Sequence, residues 1–283
     1  MEIKKVGIIS CGTMGSGITQ VCAQSGYQVV VSEMNDELLN KGLSVINSAL
    51  NRRVAKGELA RQEMETILSR IRGTTNTSDL GECDLAIEAA NENLELNKQI
   101  FAELDKICPK PTILATNTSC LSVTDMAMAS GRADRVVGLH FWNPAPVMKL
   151  LEIVKTIVTS QETLETSQHL GESLGKTVVT AQDGPGFIVN RLLVPYLLDA
   201  IRMLEAGFAT REDIDTAVKL GLNHPMGPLK LADLIGLDVL LFISDAVYQD
   251  LKDPRFIPPV LLQKLVTTGK LGRKTGQGFY EYK

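Results

Sequence analysis

Long apolar runs, paired cysteines and basic clusters are all scarce in this chain of 283 residues. The longest strongly apolar stretch, residues 187–204, is interrupted by Asn190, Arg191, Pro195, Asp199 and Arg202, which is too polar for a membrane-spanning helix. The five cysteines (Cys11, Cys22, Cys83, Cys108, Cys120) form no CxxC pair and show no metal-ligand spacing with the three histidines, so no metal site is expected. An odd, scattered set reads as reduced thiols filling the core of a cytoplasmic protein. Lysine and arginine number 29 against 33 acidic residues, with no long basic run, which argues against nucleic acid as a partner. The chain opens Met1-Glu-Ile-Lys-Lys and runs straight into a strand-like segment, so no signal peptide is expected.

What is present begins with size. Hydrophobic residues make up 44% of a chain longer than most single domains, and two domains are expected. Apolar strand segments occur at Val6-Gly-Ile-Ile, Gln28-Val-Val-Val, Asp84-Leu-Ala-Ile, Thr112-Ile-Leu-Ala, Arg135-Val-Val-Gly-Leu, Lys149-Leu-Leu-Glu-Ile-Val and Thr177-Val-Val-Thr. Helical segments separate them, which implies an α/β fold with a parallel, doubly wound sheet. Helical sequence over about 36–70, broken near Lys56-Gly57, exceeds what a strand crossover needs and reads as an inserted helical hairpin. After Asp183-Gly-Pro-Gly strand signals vanish. Helices are expected from 187 to 204, apolar nearly all round and so buried on more than one side, and at about 211–219, 228–252 and 258–268. The expected division is an α/β domain over 1–184 and an all-α domain over 185–283.

The first strand leads into Ser10-Cys11-Gly12-Thr13-Met14-Gly15, where a dinucleotide-binding turn reads G-x-G-x-x-G. Gly12 lets the backbone approach a pyrophosphate, and Gly15 lets the helix pack closely on the strand. Phosphates are favoured at the helix N-terminus by its free N–H groups and dipole. Ser10 replaces the first glycine, which fits if the turn keeps φ negative there. Glu33 closes the second strand, placed to accept a hydrogen bond from the ribose 2′-hydroxyl and to repel a 2′-phosphate, so NAD is expected over NADP.

The segment Gly138-Leu-His-Phe-Trp-Asn-Pro-Ala-Pro-Val-Met-Lys-Leu-Leu-Glu carries the chemistry. His140 lies at the carboxyl edge of its strand, where doubly wound sheets bind ligands, and Glu152 lies on the next strand beyond Pro144 and Pro146. Such a pair makes a general acid/base and the carboxylate that fixes its tautomer; the bland alternative is a structural histidine and a strand-edge glutamate. Ser119 follows another strand, either at the ligand edge or capping a helix that begins near Leu121. Asn190 interrupts the most apolar helix; its amide either bonds another helix or reaches an interdomain cleft.

These stretches together resemble the short-chain L-3-hydroxyacyl-CoA dehydrogenase family, its bacterial 3-hydroxybutyryl-CoA dehydrogenases included. The resemblance is carried by Gly12-Thr-Met-Gly-Ser-Gly, Asn117-Thr-Ser, His140-Phe-Trp-Asn-Pro, Pro146-Val-Met-Lys-Leu, Pro185-Gly-Phe-Ile-Val-Asn-Arg-Leu, Pro225-Met-Gly-Pro and Lys274-Thr-Gly-Gln-Gly-Phe-Tyr, and spans essentially the whole chain. It implies a Rossmann-type NAD-binding domain, an all-α domain that forms a homodimer, and interconversion of 3-hydroxybutyryl-CoA with acetoacetyl-CoA. It further implies that His140 and Glu152 are the catalytic pair, and that Ser119 and Asn190 contact the substrate's 3-oxygen or help orient the cleft. Gly12, Thr13, Met14, Gly15 and Glu33 hold the cofactor, Asn143 supports the same site, and Glu92 lies near the nicotinamide half.

Two departures stand out. Phe141-Trp142 replaces a usual Phe-Phe, and Asn97 stands where many members carry lysine, the nearest here being Lys98. The CoA moiety is expected against the helical hairpin, where Arg52, Arg53 and Lys56 meet its phosphates; the competing reading of those three is a solvated basic face. His140 would take the hydroxyl proton as hydride leaves C3 for the nicotinamide. Rival readings are a dehydrogenase of a sugar acid or small 3-hydroxy acid on the same fold, and a non-catalytic dinucleotide-binding protein.

Overall fold

A computed structural model describes residues 1–282. The chain divides into two compact units, Met1–Asp183 and Gly184–Lys283. The first unit contains β1 (Lys5–Ile9), α1 (Thr13–Gln24), β2 (Gln28–Ser32), α2 (Asp36–Ala55), α3 (Arg61–Ser69), β3 (Ile71–Thr74), β4 (Leu85–Glu88), α4 (Leu94–Ile107), β5 (Ile113–Thr116), α5 (Val123–Ala129), β6 (Val136–Phe141), β7 (Leu150–Lys155), α6 (Gln161–Ser173) and β8 (Thr177–Gln182). Helices α2, α4, α5 and α6 begin on capping side chains. Asn35, Asn93, Ser122 and Ser160 each accept from the backbone N–H three residues on.

The eight strands form one sheet in the order β3-β2-β1-β4-β5-β6-β7-β8. The first six follow the arrangement of dinucleotide-binding sheets, with strand order reversing direction between β1 and β4. Helices cover both faces, so β4, β5 and β6 are buried along their whole length and read as largely apolar runs, broken near their carboxyl ends by Glu88, Thr116 and His140. The core gathers Val6, Ile8, Val29, Val31, Ile87, Ala115, Val137 and Leu139 beneath Ile18, Leu39 and Ile46.

Two expectations need correction. The sheet is not parallel throughout, because β6 and β7 pair antiparallel; the eight residues between them are too few for a parallel crossover, which takes a dozen or more. A strand at β3, Ile-Arg-Gly-Thr, pairs with β2 at the sheet's end although it carries a single large apolar residue. The hairpin is present as α2 and α3, broken near Lys56-Gly57 as its sequence implies; Gly57 takes φ 73°.

The second unit is helical, with α7 (Val189–Glu205), α8 (Arg211–Gly221), α9 (Pro228–Ile235), α10 (Leu237–Leu251) and α11 (Val260–Thr267). The single helix expected over 228–252 is two, since Gly236 at φ 104° breaks it. Val194, Leu197, Leu198 and Ile201 of α7 pack with Leu229, Leu240, Phe256 and Leu262. In the single chain α7 buries one side, and Leu192 on its other face is 72% exposed. Among the described residues, no helix is long and apolar enough to cross a membrane.

Candidate active site

Strand register brings the functional segments of the first unit to one edge. Ile9 pairs with both Ser32 and Glu88, Glu88 with Thr116, and Thr116 with Gly138, two residues before His140. The chain therefore leaves β1, β2, β4, β5 and β6 at the same carboxyl edge, carrying Gly12, Glu33, Glu92, Ser119 and His140 respectively.

At the first turn, a Cβ on Gly15 would collide with the carbonyl oxygen of Ser10, so only glycine lets α1 pack so close to β1. Gly12 is the N-cap of α1, with no side chain capping it, and a Cβ there would meet nothing nearer than Ser10 Oγ at 3.6 Å. The first helical hydrogen bond runs from Ser16 N to Gly12 O, which leaves the N–H groups of Thr13, Met14 and Gly15 without helix partners. Open space over an uncapped helix N-terminus fits the pyrophosphate of a dinucleotide. Glu33 lies beside this turn. Its Oε1 accepts from Cys11 N at 2.7 Å and Ser10 Oγ at 3.0 Å, and its Oε2 from Met34 N at 2.9 Å. Ser10 has φ 76°, so the negative φ expected there is wrong: those hydrogen bonds hold serine in a conformation glycine normally takes. Burial, followed by the Glu33 carboxylate, pushes the Cys11 thiol up to about 12, leaving it an inert packing group.

Glu92 and the segment after β5 form the next part. Glu92 accepts from Thr118 Oγ1 at 2.5 Å and from Ser119 N at 2.7 Å, fixing the loop that carries the Ser119 side chain. Ser119 does not cap the following helix; α5 starts two residues later than expected, at Val123, and Ser122 caps it. Asn117, missed in the sequence, accepts from Phe141 N at 3.0 Å and ties the end of β5 to the end of β6. Also missed was Glu88, 1% exposed, which accepts from Ala90 N at 2.6 Å, Thr116 Oγ1 at 2.6 Å and Asn97 Nδ2 at 3.2 Å. Burial raises its carboxyl above the ordinary range, opposed by the hydrogen bonds from Thr116 and Ala90. Asn97 is itself 1% exposed with Oδ1 unpaired, so it is turned into this cluster, while Lys98 points outward to Glu95 at 2.9 Å.

His140 and Glu152 are direct cross-strand partners in the β6–β7 register, with Nδ1 and Oε2 2.7 Å apart. Both are buried, at 3% and 0% exposure, which strengthens their mutual interaction relative to water. Trp142 is next but one along the chain, just past the end of β6. Its ring centroid is 4.7 Å from that of His140 and its plane is tilted by 54°. Asn143 precedes Pro144 through a cis peptide bond and is exposed.

The remaining predicted residues fall elsewhere. Arg52 and Lys56 are exposed at the C-terminal end of α2, where basic side chains also complement the helix dipole, and Arg53 Nε lies 3.9 Å from Glu58. Asn190 lies in the second unit, buried in the first turn of α7.

A switch-point sheet edge with a phosphate-ready turn, an acid closing β2 and a buried His–Glu pair defines an NAD-dependent dehydrogenase. A family model of the 3-hydroxyacyl-CoA dehydrogenase NAD-binding domain matches residues 5–184, and one of the C-terminal domain matches 186–282. The chain belongs to the 3-hydroxyacyl-CoA dehydrogenase family. It is 45% identical over 282 residues to a 3-hydroxybutyryl-CoA dehydrogenase of Mycobacterium tuberculosis, covering 99% of each. It is 46% identical over 289 residues to the mitochondrial hydroxyacyl-coenzyme A dehydrogenase of Sus scrofa, covering 99% of this chain and 92% of that one. Among solved structures it is similar to (S)-3-hydroxybutyryl-CoA dehydrogenase PaaH1 from Ralstonia eutropha, at TM-score 0.96 and 42% identity over 100% of both chains. The protein is thus an oxidoreductase interconverting 3-hydroxyacyl-CoA and 3-ketoacyl-CoA with NAD, and the sugar-acid and non-catalytic readings are left without support.

Proposed function

We propose that the protein interconverts (S)-3-hydroxybutyryl-CoA and acetoacetyl-CoA, with His140 as the acid/base. The observation that carries this is the 2.7 Å contact between His140 Nδ1 and Glu152 Oε2. It commits Nδ1 to the carboxylate and gives Nε2 the exchange of the proton with the substrate's 3-hydroxyl. Glu152 then stabilises the imidazolium formed in oxidation. NAD supplies the hydride acceptor when bound. Thr13, Met14 and Gly15 offer N–H groups to its pyrophosphate, Glu33 takes its ribose hydroxyl, Glu92 lies near its nicotinamide half and Asn143 supports the same site; Asn97, buried against Glu88, leaves Lys98 as the one residue of this pair able to reach the cofactor. Ser119 and Asn190 hydrogen-bond the substrate oxygen as its charge changes, and Arg52, Arg53 and Lys56 meet the CoA phosphates.

The second unit is proposed to pair with its copy in a homodimer. Leu192, Phe208 and Leu220 are each more than 70% exposed in the single chain, at 72%, 77% and 74%. Five free, buried cysteines agree with a reducing, cytoplasmic setting.

The test is absorbance at 340 nm with acetoacetyl-CoA, comparing NADH with NADPH and with free acetoacetate as control. NADH oxidation with the CoA ester alone is expected. Equal rates on free acetoacetate would remove the role of CoA, and no oxidation by folded protein would overturn the proposal.

A further inference from the structure

Ser10 occupies a position where the backbone asks for glycine. Its N–H donates to Ser32 O at 2.9 Å, extending the β1–β2 ladder by one residue. Its carbonyl lies against Gly15, so the chain must reverse within this single residue, and φ is 76°. A non-glycine residue stays in that region only where its surroundings over-determine it. Here the side chain does so: Oγ donates to Glu33 Oε1 at 3.0 Å and accepts from Gly12 N at 3.4 Å. The same Glu33 oxygen accepts from Cys11 N, and the other oxygen from Met34 N. Three donors from two chain segments therefore hold one half-buried carboxylate beside the dinucleotide turn.

We infer that Ser10 is a positioning residue for cofactor choice: its hydroxyl fixes the Glu33 carboxylate in the orientation that accepts a ribose 2′-hydroxyl and repels a 2′-phosphate. This rests on the reading of Glu33 as the selector. Without the hydroxyl, Glu33 keeps only backbone donors and regains side-chain freedom. It then loses part of its preferred geometry toward NADH and can swing from a 2′-phosphate. The substitution trades a conformationally easy glycine for a strained serine whose hydroxyl bonds the acid.

The experiment is fluorescence titration with NADH and NADPH of wild type, Ser10→Gly, Ser10→Ala, Glu33→Gln and the Ser10→Gly/Glu33→Gln double variant, with thermal melting alongside. Ser10→Gly relaxes the backbone and is expected to melt no lower than wild type, so folding does not confound it. Both Ser10 variants are expected to lower the ratio of the NADPH Kd to the NADH Kd by about tenfold, the size of a lost hydrogen bond to a charged group. In the Glu33→Gln background Ser10→Gly is expected to have no further effect on the ratio. An unchanged ratio in the Ser10 variants, or an equal effect in both backgrounds, overturns the inference while leaving Glu33 as selector. An unchanged ratio in Glu33→Gln overturns both.

Discussion

Glu152 faces His140 directly across the antiparallel β6–β7 pair, its Oε2 2.7 Å from Nδ1. Their spacing is set by the ladder between the strands and not by a flexible loop, so the pair is pre-organised before any ligand arrives. The replacement Glu152→Gln keeps shape and a hydrogen-bonding group but removes the charge that favours the imidazolium. We expect kcat to fall by about 10²–10⁴-fold, as for His140→Ala, with NADH affinity unchanged. A variant that loses NADH affinity in step with kcat would place Glu152 in the fold rather than in the chemistry.

Trp142 is the single tryptophan of the chain, its ring lies 4.7 Å from that of His140, and its Nε1 is buried without a hydrogen-bond partner. Intrinsic emission should therefore report the packing of the imidazole against the indole. We expect His140→Ala, which removes the ring at 4.7 Å, to shift the emission maximum of the folded protein. Identical emission spectra for the two folded proteins would rule out the contact.

Glu88 gives a stability signature with a definite sign. Its carboxyl is raised by burial in the folded state, so the stability linked to its proton is fully present below the unfolded value and is lost as pH rises through the folded value. Glu88→Gln, which stays neutral, should lose less stability than wild type between mildly acidic and neutral pH in urea unfolding. Parallel curves for the two proteins would show that the hydrogen bonds from Thr116, Ala90 and Asn97 outweigh the desolvation.

Charge reversal at Arg52 and Lys56, both exposed on α2, separates CoA recognition from helix-dipole complementation. A phosphate contact predicts a KM raised about tenfold for the CoA ester and little changed for its pantetheine analogue. A small loss in Tm with equal effects on both substrates is the result for a solvated face.

The sheet, the glycine turn and the contact between His140 and Glu152 were legible because each leaves a local signature: apolar runs of strand length, a helix start after Gly12, and the two residues on consecutive strands. What escaped was decided by partners remote in sequence. The strand β3 holds one large apolar residue and relies on β2 for its hydrogen bonds. The sign of φ at Ser10 depends on Glu33, 23 residues away. Glu88 reads as the polar end of an apolar strand, and only the folded chain brings Thr116 and Asn97 to it. The β6–β7 reversal also contradicted the parallel sheet expected, although a connection too short for a crossover carried its signal.

A Cβ on Gly42, in the middle of α2, would overlap the carbonyl oxygen and Sγ of Cys11. The backbone of the hairpin helix thus rests directly on the carbonyl and thiol of the residue next to Gly12, with no slack to absorb movement. Any ligand that displaces α2 must also disturb the dinucleotide turn. Thermodynamic reciprocity then requires the dinucleotide to change that ligand's affinity by the same factor. The absence of one methyl group is what lets the hairpin helix and the dinucleotide turn share a single packed contact.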